Sequence, residues 1–274
     1  MSVCSLFGGT MSKKLLLAGV VALSAGLILT GCTSQSSAKK TTTDKPVSIN
    51  YSAAASLQGA LTEIDKTYEK SHQNVKINFD FAGSGAIREK VVAGAPIDGV
   101  FLASKSDADK LTQAGKGADA KAVLGNTLVL VANKNTSVNS SKNLTDTLNA
   151  AKKIAIGEPS TVPAGMYAEQ TLAKLGLATS LKPKLVMGSD VTQVLSYAAA
   201  GNVDLGFVYK TDAMSNKNVK VVDNIPDNLH DAITYYTETV KDTKHSKEVK
   251  AFNKYLDSSA AQKVFAKYGF KSAK

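Results

Sequence analysis

Ile49-Asn50-Tyr51-Ser52-Ala53-Ala54-Ala55-Ser56-Leu57 is the stretch on which the reading of the fold turns. Residues 47–51 read as a short strand. Four small residues follow, then Ser56, then a helical pattern. Leu57, Ala60, Leu61, Ile64 and Tyr68 fall at i, i+3, i+4, i+7 and i+11, one face of a helix. This places Ser56 at or beside the N-cap, where a hydroxyl and the first unpaired N–H groups face open space. The small neighbours allow close approach. The orphan donors and the helix dipole both favour an anion. A serine there more often caps its own helix and does nothing else. What shifts the balance is that the design recurs.

Strand and helix alternate from residue 47 onward. Residues 75–81 alternate strictly and predict a strand; Gly83-Ser84-Gly85 predicts a turn, and a helix follows with Ile87, Val91 and Val92 inward. A buried strand is expected at 98–103 and a helix at 107–114, stopped by Gly115. A longer strand is expected at 124–132, a helix around 144–150 and a strand at 153–156. The punctuated loop 157–165 opens a helix at 166–175, and a short strand is expected at 185–187. Asp190 reads as an N-cap for a helix with Val191, Val194, Leu195 and Ala198 on one face. Strands at 204–209, 219–222 and 232–240 and a helical C-terminus complete the chain. Such alternation implies an α/β protein with largely parallel sheets. The two long strands, 124–132 and 232–240, are placed to run between two lobes, with a cleft at the carboxyl ends of the strands. Lobe 1 is expected to comprise 47–125 plus 226–274, and lobe 2 to comprise 126–225.

Four strand-to-helix junctions share one character: 52–57, 83–86, 163–166 and 189–192. Each is small or neutral and offers free backbone donors, and none holds Lys or Arg. A cleft lined this way suits a desolvated anion held by neutral hydrogen bonds.

The N-terminus stands apart. Lys13 and Lys14 precede an apolar run at 15–28, and Leu29-Thr30-Gly31-Cys32 follows. The run is too short to span a membrane and reads as a signal peptide over 1–31, with Met11 as initiator. Residues 33–46 are polar and read as a flexible tether. Of the two cysteines, Cys4 lies ahead of the cleavage point and Cys32 ahead of the polar tether, so the folded part carries no thiol and no disulfide.

The 274 residues carry a net charge of +10, which falls to +8 when Lys13 and Lys14 are removed. That basicity raises nucleic-acid binding as a possibility. Aromatics make up only 6%, Trp is absent and the lysines are dispersed, which argues against it. A serine hydrolase is disfavoured too, because no Gly-x-Ser-x-Gly elbow is present and no His sits in a motif-like loop. His72, His230 and His245 read as surface residues without metal spacing, and Arg88 reads as solvent-facing.

The residues before Cys32 resemble the lipobox of bacterial lipoproteins, which implies a diacylglyceryl group on Cys32. The folded part resembles the molybdate-binding proteins of bacterial ABC transporters. Ala53-Ala54-Ala55-Ser56-Leu57 is similar to the first motif of that family, and Phe81-Ala82-Gly83-Ser84-Gly85 with Ala93-Gly94-Ala95-Pro96-Ile97-Asp98 to the second. Leu124-Gly125-Asn126-Thr127-Leu128-Val129 is similar to its crossover strand. Gly157-Glu158-Pro159, Val162-Pro163-Ala164-Gly165, Asp190-Val191 and Gly206-Phe207-Val208-Tyr209 follow in order, and Tyr268-Gly269-Phe270 matches the C-terminal end. The resemblance implies the two-lobed type II periplasmic-binding-protein fold. It also implies molybdate or tungstate as ligand, with sulfate or thiosulfate as the alternative oxyanion. Implied contacts are Ser56 and Ser84 through their hydroxyls, Ala164 and Val191 through backbone N–H, and Tyr209 through its phenolic O–H. The protein would not ligate the metal centre itself, and no further cofactor is implied. The implied partner is an ABC permease, met by a monomer anchored through Cys32 on the extracytoplasmic face of the membrane. Many members carry a hydroxyl residue after the second serine; here it is Gly85, whose backbone N–H is then expected to be free to approach the ligand.

Overall fold

The computed structural model describes residues 46–137 and 143–273. The signal peptide with its start at Met11, the lipidated Cys32 and the tether as far as residue 45 lie outside the described residues.

The first lobe begins with β1 (Val47–Ala54), a 3₁₀ turn (Ala55–Leu57) and α1 (Gln58–Ser71). It continues through β2 (Val75–Ala82), α2 (Ser84–Val92), β3 (Gly99–Leu102), α3 (Lys105–Gln113) and β4 (Gly117–Gly125). The second lobe holds β5 (Leu128–Asn133), α4 (Leu144–Ala150), β6 (Ile154–Gly157), α5 (Pro163–Lys174), α6 (Ala178–Leu181), β7 (Leu185–Gly188), α7 (Val191–Ala199), β8 (Leu205–Tyr209), α8 (Lys210–Ser215) and β9 (Val219–Asn224). The chain then returns to the first lobe with β10 (Thr234–Val240), α9 (Ser246–Leu256), α10 (Ser259–Lys267) and β11 (Lys271–Ser272). One sheet has the order β11-β4-β10-β3-β1-β2, the other β7-β6-β8-β5-β9.

Local sequence explains the helices that flank these sheets. In α1 the buried residues are Ala60, Leu61, Ile64 and Tyr68, the expected stripe, and each large apolar side chain so buried contributes about 1.5–3 kcal/mol. Its partners are aromatic: Tyr68 meets Phe252 edge-on at 4.9 Å, and Phe252 meets Tyr51 of β1 at 5.1 Å. In α2 Ile87 and Val91 are buried, whereas Val92 is 46% exposed. The expectation that Val92 points inward is therefore corrected; one residue on from Val91 lies 100° round the helix.

Three further expectations change. The sheets are mixed, not largely parallel: β1 pairs in parallel with β2 and β3, and β6 with β7 and β8, but β10 and β5 run antiparallel to both their neighbours. The expected strand at 124–132 is two strands in different sheets, broken at Asn126-Thr127. The reason is local. The Asn126 side-chain oxygen accepts from the Thr127 N–H at 2.8 Å, which removes the donor a continuing ladder would use. The strand at 232–240 does not cross between lobes either, because β10 lies wholly in the first sheet. The second crossing is the irregular segment 225–233, opened by Pro226 and containing a 3₁₀ turn (Asp227–Leu229). The crossings run side by side, tied by Ile225 N–H to Leu128 C=O at 3.0 Å and Asn126 N–H to Ile233 C=O at 3.3 Å.

Candidate functional site

All five residues expected to contact a ligand line one small cavity between the lobes. Its walls include Ser56 and Ser84 from the first lobe and Ala164, Val191 and Tyr209 from the second. The remaining lining is apolar or small (Ala54, Ala55, Ala82, Gly83, Ala103, Val162, Pro163) except for Asp190. The cavity lies where β1, β2, β6, β7 and β8 hand over to their helices, at the carboxyl ends of mutually parallel strands. Its volume is about 10 Å³, the space of about one water-sized sphere.

The two serines present their hydroxyls differently. Ser84 is fully buried, and its oxygen accepts from the Ala103 N–H at 2.8 Å. That leaves its own proton to donate. Ser56 sits beside the N-cap of α1, as expected, within the 3₁₀ turn; it does not cap the helix, and its hydroxyl is 2.9 Å from the Tyr235 hydroxyl. Ser84 begins α2 and does not belong to a preceding turn. Gly85 also differs from expectation. Its N–H is not free but donates to the Thr161 carbonyl at 2.9 Å, across the cleft.

The second lobe contributes helix starts. Pro163 opens α5, three residues earlier than expected, its fixed φ suiting the first turn and its missing N–H costing nothing there. Ala164 follows, with a first-turn N–H that has no partner in its own helical ladder. Gly165 allows α5 to approach β6, since a Cβ there would lie 1.9 Å from the Gly157 carbonyl oxygen. Val191 begins α7, and Asp190 caps it by accepting from the Gln193 N–H at 2.9 Å. The cap expectation for Asp190 holds.

Tyr209 ends β8. It is 1% exposed, and its hydroxyl oxygen is buried without a hydrogen-bond partner. Burial, reinforced by the neighbouring Tyr235, Tyr167, Asp212 and Asp107, raises its pKa well above the usual phenol value, so the O–H keeps its proton. A buried, unpartnered O–H costs about 1–3 kcal/mol unless something accepts from it. Asp212, in the first turn of α8, accepts from the Tyr209 N–H at 3.0 Å. Burial lifts its pKa to about 7, partly offset by that N–H and reinforced by the charge on Asp190.

Residues set aside in the sequence also find their places. Arg88 is not solvent-facing: its side chain is 17% exposed and pairs with Asp107 at 3.0 Å and Glu89 at 3.3 Å. His230 is buried, not a surface residue, with Nδ1 2.7 Å from the Asp231 carbonyl. Neither lines the cavity. Among the described residues no group of three His, Cys, Asp or Glu side chains is placed to hold a metal ion, and no helix is long and apolar enough to cross a membrane. What the arrangement can do is accept a small anion among neutral donors: hydroxyls at Ser56, Ser84 and Tyr209 and helix-start N–H groups at Ala164 and Val191. Sequence reasoning missed Asn126 and Tyr235, which stand behind Ser56. Their one local signal is a polar Asn in the middle of an apolar run.

Comparison with known proteins agrees with this geometry. The sequence model of the family described as bacterial extracellular solute-binding protein matches residues 49–271. A Bacillus subtilis protein named "Putative ABC transporter substrate-binding lipoprotein YvgL" is 46% identical over 255 residues, 92% of this chain and 96% of that protein. The molybdate-binding protein ModA of Escherichia coli is 35% identical over 229 residues, 81% of this chain and 88% of that protein. The periplasmic molybdate-binding protein of Azotobacter vinelandii shares the fold with a TM-score of 0.71 at 24% identity, over 81% of this chain and 98% of that one. The relatives are binding and transport proteins, not enzymes, and the chain belongs with them to the family of bacterial extracellular solute-binding proteins, among those similar to ModA.

Proposed function

We propose that this protein captures molybdate or tungstate between its lobes and delivers it to an ABC permease, anchored as a monomer to the extracytoplasmic face of the membrane by a diacylglyceryl group on Cys32. The observation that carries the reading is the Tyr209 hydroxyl, buried and unpartnered in the wall of a cavity that also gathers Ser56, Ser84, Ala164 and Val191. Three hydroxyls and two helix-start N–H groups, with no Lys, Arg or His among the lining residues, suit a fully deprotonated tetrahedral dianion. Protonated phosphate would be best served by a carboxylate acceptor, and the one carboxylate in the lining, Asp190, is engaged as a cap. The names of the relatives from B. subtilis and E. coli support the transporter, lipoprotein and molybdate parts of this reading.

Ligand and lobes act together. The open form admits the anion; closure about the crossings at Asn126-Thr127 and 225–233 strips its water, and neutral donors replace that water. Each charge-assisted bond contributes about 1.5–3 kcal/mol before the cost of closure. Selection against sulfate then rests on size: a smaller anion spans fewer of the fixed donors. Removing one hydroxyl tests the reading. Ser84→Ala and Tyr209→Phe should each weaken molybdate binding about tenfold or more in titration calorimetry, with the fold intact by circular dichroism. Unchanged affinity in both variants would refute the assignment.

A further inference from the structure

Behind Ser56 lies a chain of buried hydrogen bonds whose donor directions can be assigned one after another. It begins at Asn126, on the first crossing between the lobes and 7% exposed. The Thr127 N–H can only donate, and it is 2.8 Å from the Asn126 side-chain oxygen, which fixes the amide's orientation. The amide nitrogen therefore faces two oxygens, Thr211 Oγ1 at 2.9 Å in the second lobe and the Tyr235 hydroxyl at 3.1 Å in the first. Its two protons serve these two acceptors. Tyr235 is fully buried and boxed in by Phe101, Tyr209 and Phe270. Having accepted from Asn126, it has one proton left, and the remaining partner in reach is Ser56 Oγ at 2.9 Å. Turning that proton elsewhere would leave a buried donor unpaired. Ser56 thus accepts from Tyr235, and its own proton is directed to the cavity it lines.

We propose that Asn126 is a positioning residue that, through Tyr235, holds the Ser56 hydroxyl as a donor toward the anion, and that it does so only when one amide spans both lobes. The inference rests on the oxyanion reading of the cavity. It adds two residues that do not touch the ligand and links the crossing to the polarity of the site: opening the lobes pulls Thr211 and Tyr235 apart, and Asn126 then no longer serves both.

The relay predicts an order of affinities that a packing role does not. Asn126→Leu and Tyr235→Phe should each weaken molybdate binding about three- to tenfold, and the double variant no further, because both break the same chain. Asn126→Asp should do worse, about thirtyfold or more, because a carboxylate takes the Tyr235 proton, Tyr235 then accepts from Ser56, and Ser56 turns a lone pair toward the anion. Adding Tyr235→Phe to Asn126→Asp should recover part of that loss. Calorimetry with molybdate on the purified proteins, with melting temperatures measured alongside, reads these outcomes. Additive losses in the Leu/Phe double variant, or an Asp/Phe double variant no tighter than the Asp single, would overturn the relay while leaving molybdate binding standing. If Asn126→Asp does not fold, the Leu/Phe cycle alone decides. A wild-type protein silent toward molybdate, tungstate and sulfate would overturn the relay together with the reading on which it rests.

Discussion

Glu238 is fully buried in β10; one carboxylate oxygen accepts from the Thr112 hydroxyl at 3.1 Å and the other has no partner. Burial pushes its pKa up to about 7, against the pull of Thr112 and with a smaller push from Asp109. The unfolded chain ionises this group at the ordinary value of 4.5. The folded state therefore holds the proton more tightly. The stability it draws from the neutral form is present below pH 4.5 and is lost as pH rises through 7. Glu238→Gln removes the titration. Between pH 5 and 8 the wild-type protein should lose about 1–2 kcal/mol more than the variant, in parallel denaturant titrations. Equal pH slopes would mean that Glu238 ionises normally in the fold. At this scale the sequence was partly legible. Ser84, Tyr209, Ala164 and Val191 are recognisable because each sits in a small-residue junction or in a family motif. Ser56 was placed correctly beside the start of α1, and its partner Tyr235 was not foreseen. A serine before an apolar helical stripe carries the same local signature whether it caps the helix or reaches elsewhere, and the competing partner, Tyr235, is 179 residues away. Arg88 and His230 misled for the same reason: burial is set by elements distant in sequence.

The start of α2 and the loop before α5 meet face to face across the cleft. A Cβ on Gly85 would lie 2.6 Å from Thr161 Cα, and one on Gly83 would lie 2.6 Å from the Thr161 carbonyl oxygen. Backbone therefore packs against backbone where the lobes touch, and glycine is what permits it. Gly85→Ala should hold the lobes apart. Displacing a backbone costs about 1–3 kcal/mol, so molybdate affinity should fall about tenfold, while the melting temperature without ligand barely changes because the clash arises only on closure. A variant binding as tightly as the wild type would show that this contact takes no part in closing. The same elements show where pattern reading stops. The order of strands and helices was legible, since periods of two and of 3.6 alternate along the chain. Their ends were not: Ser84 and Pro163 start helices earlier than the apolar pattern suggests, because first-turn residues face the cleft and carry no stripe. The break at Asn126 within an apolar run escaped too, since a single side-chain-to-backbone bond ends β4 and begins β5 in another sheet.

At the scale of the whole molecule, the two sheets aim the carboxyl ends of their parallel strands at one another, and the crossings at Asn126-Thr127 and 225–233 join them. The two-lobed fold was legible through motif order, and the mixed strand directions were not, because direction depends on pairing between distant segments. On the proposed function, the fold brings neutral donors from both lobes round one dianion. The measurement that bears on this most directly is titration calorimetry of the purified protein with molybdate, tungstate and sulfate in turn. Tight one-to-one binding of molybdate and tungstate is expected, with no measurable heat with sulfate. Tight sulfate binding with the other two silent would keep the fold and the cleft but contradict the ligand; silence with all three would contradict the oxyanion site itself.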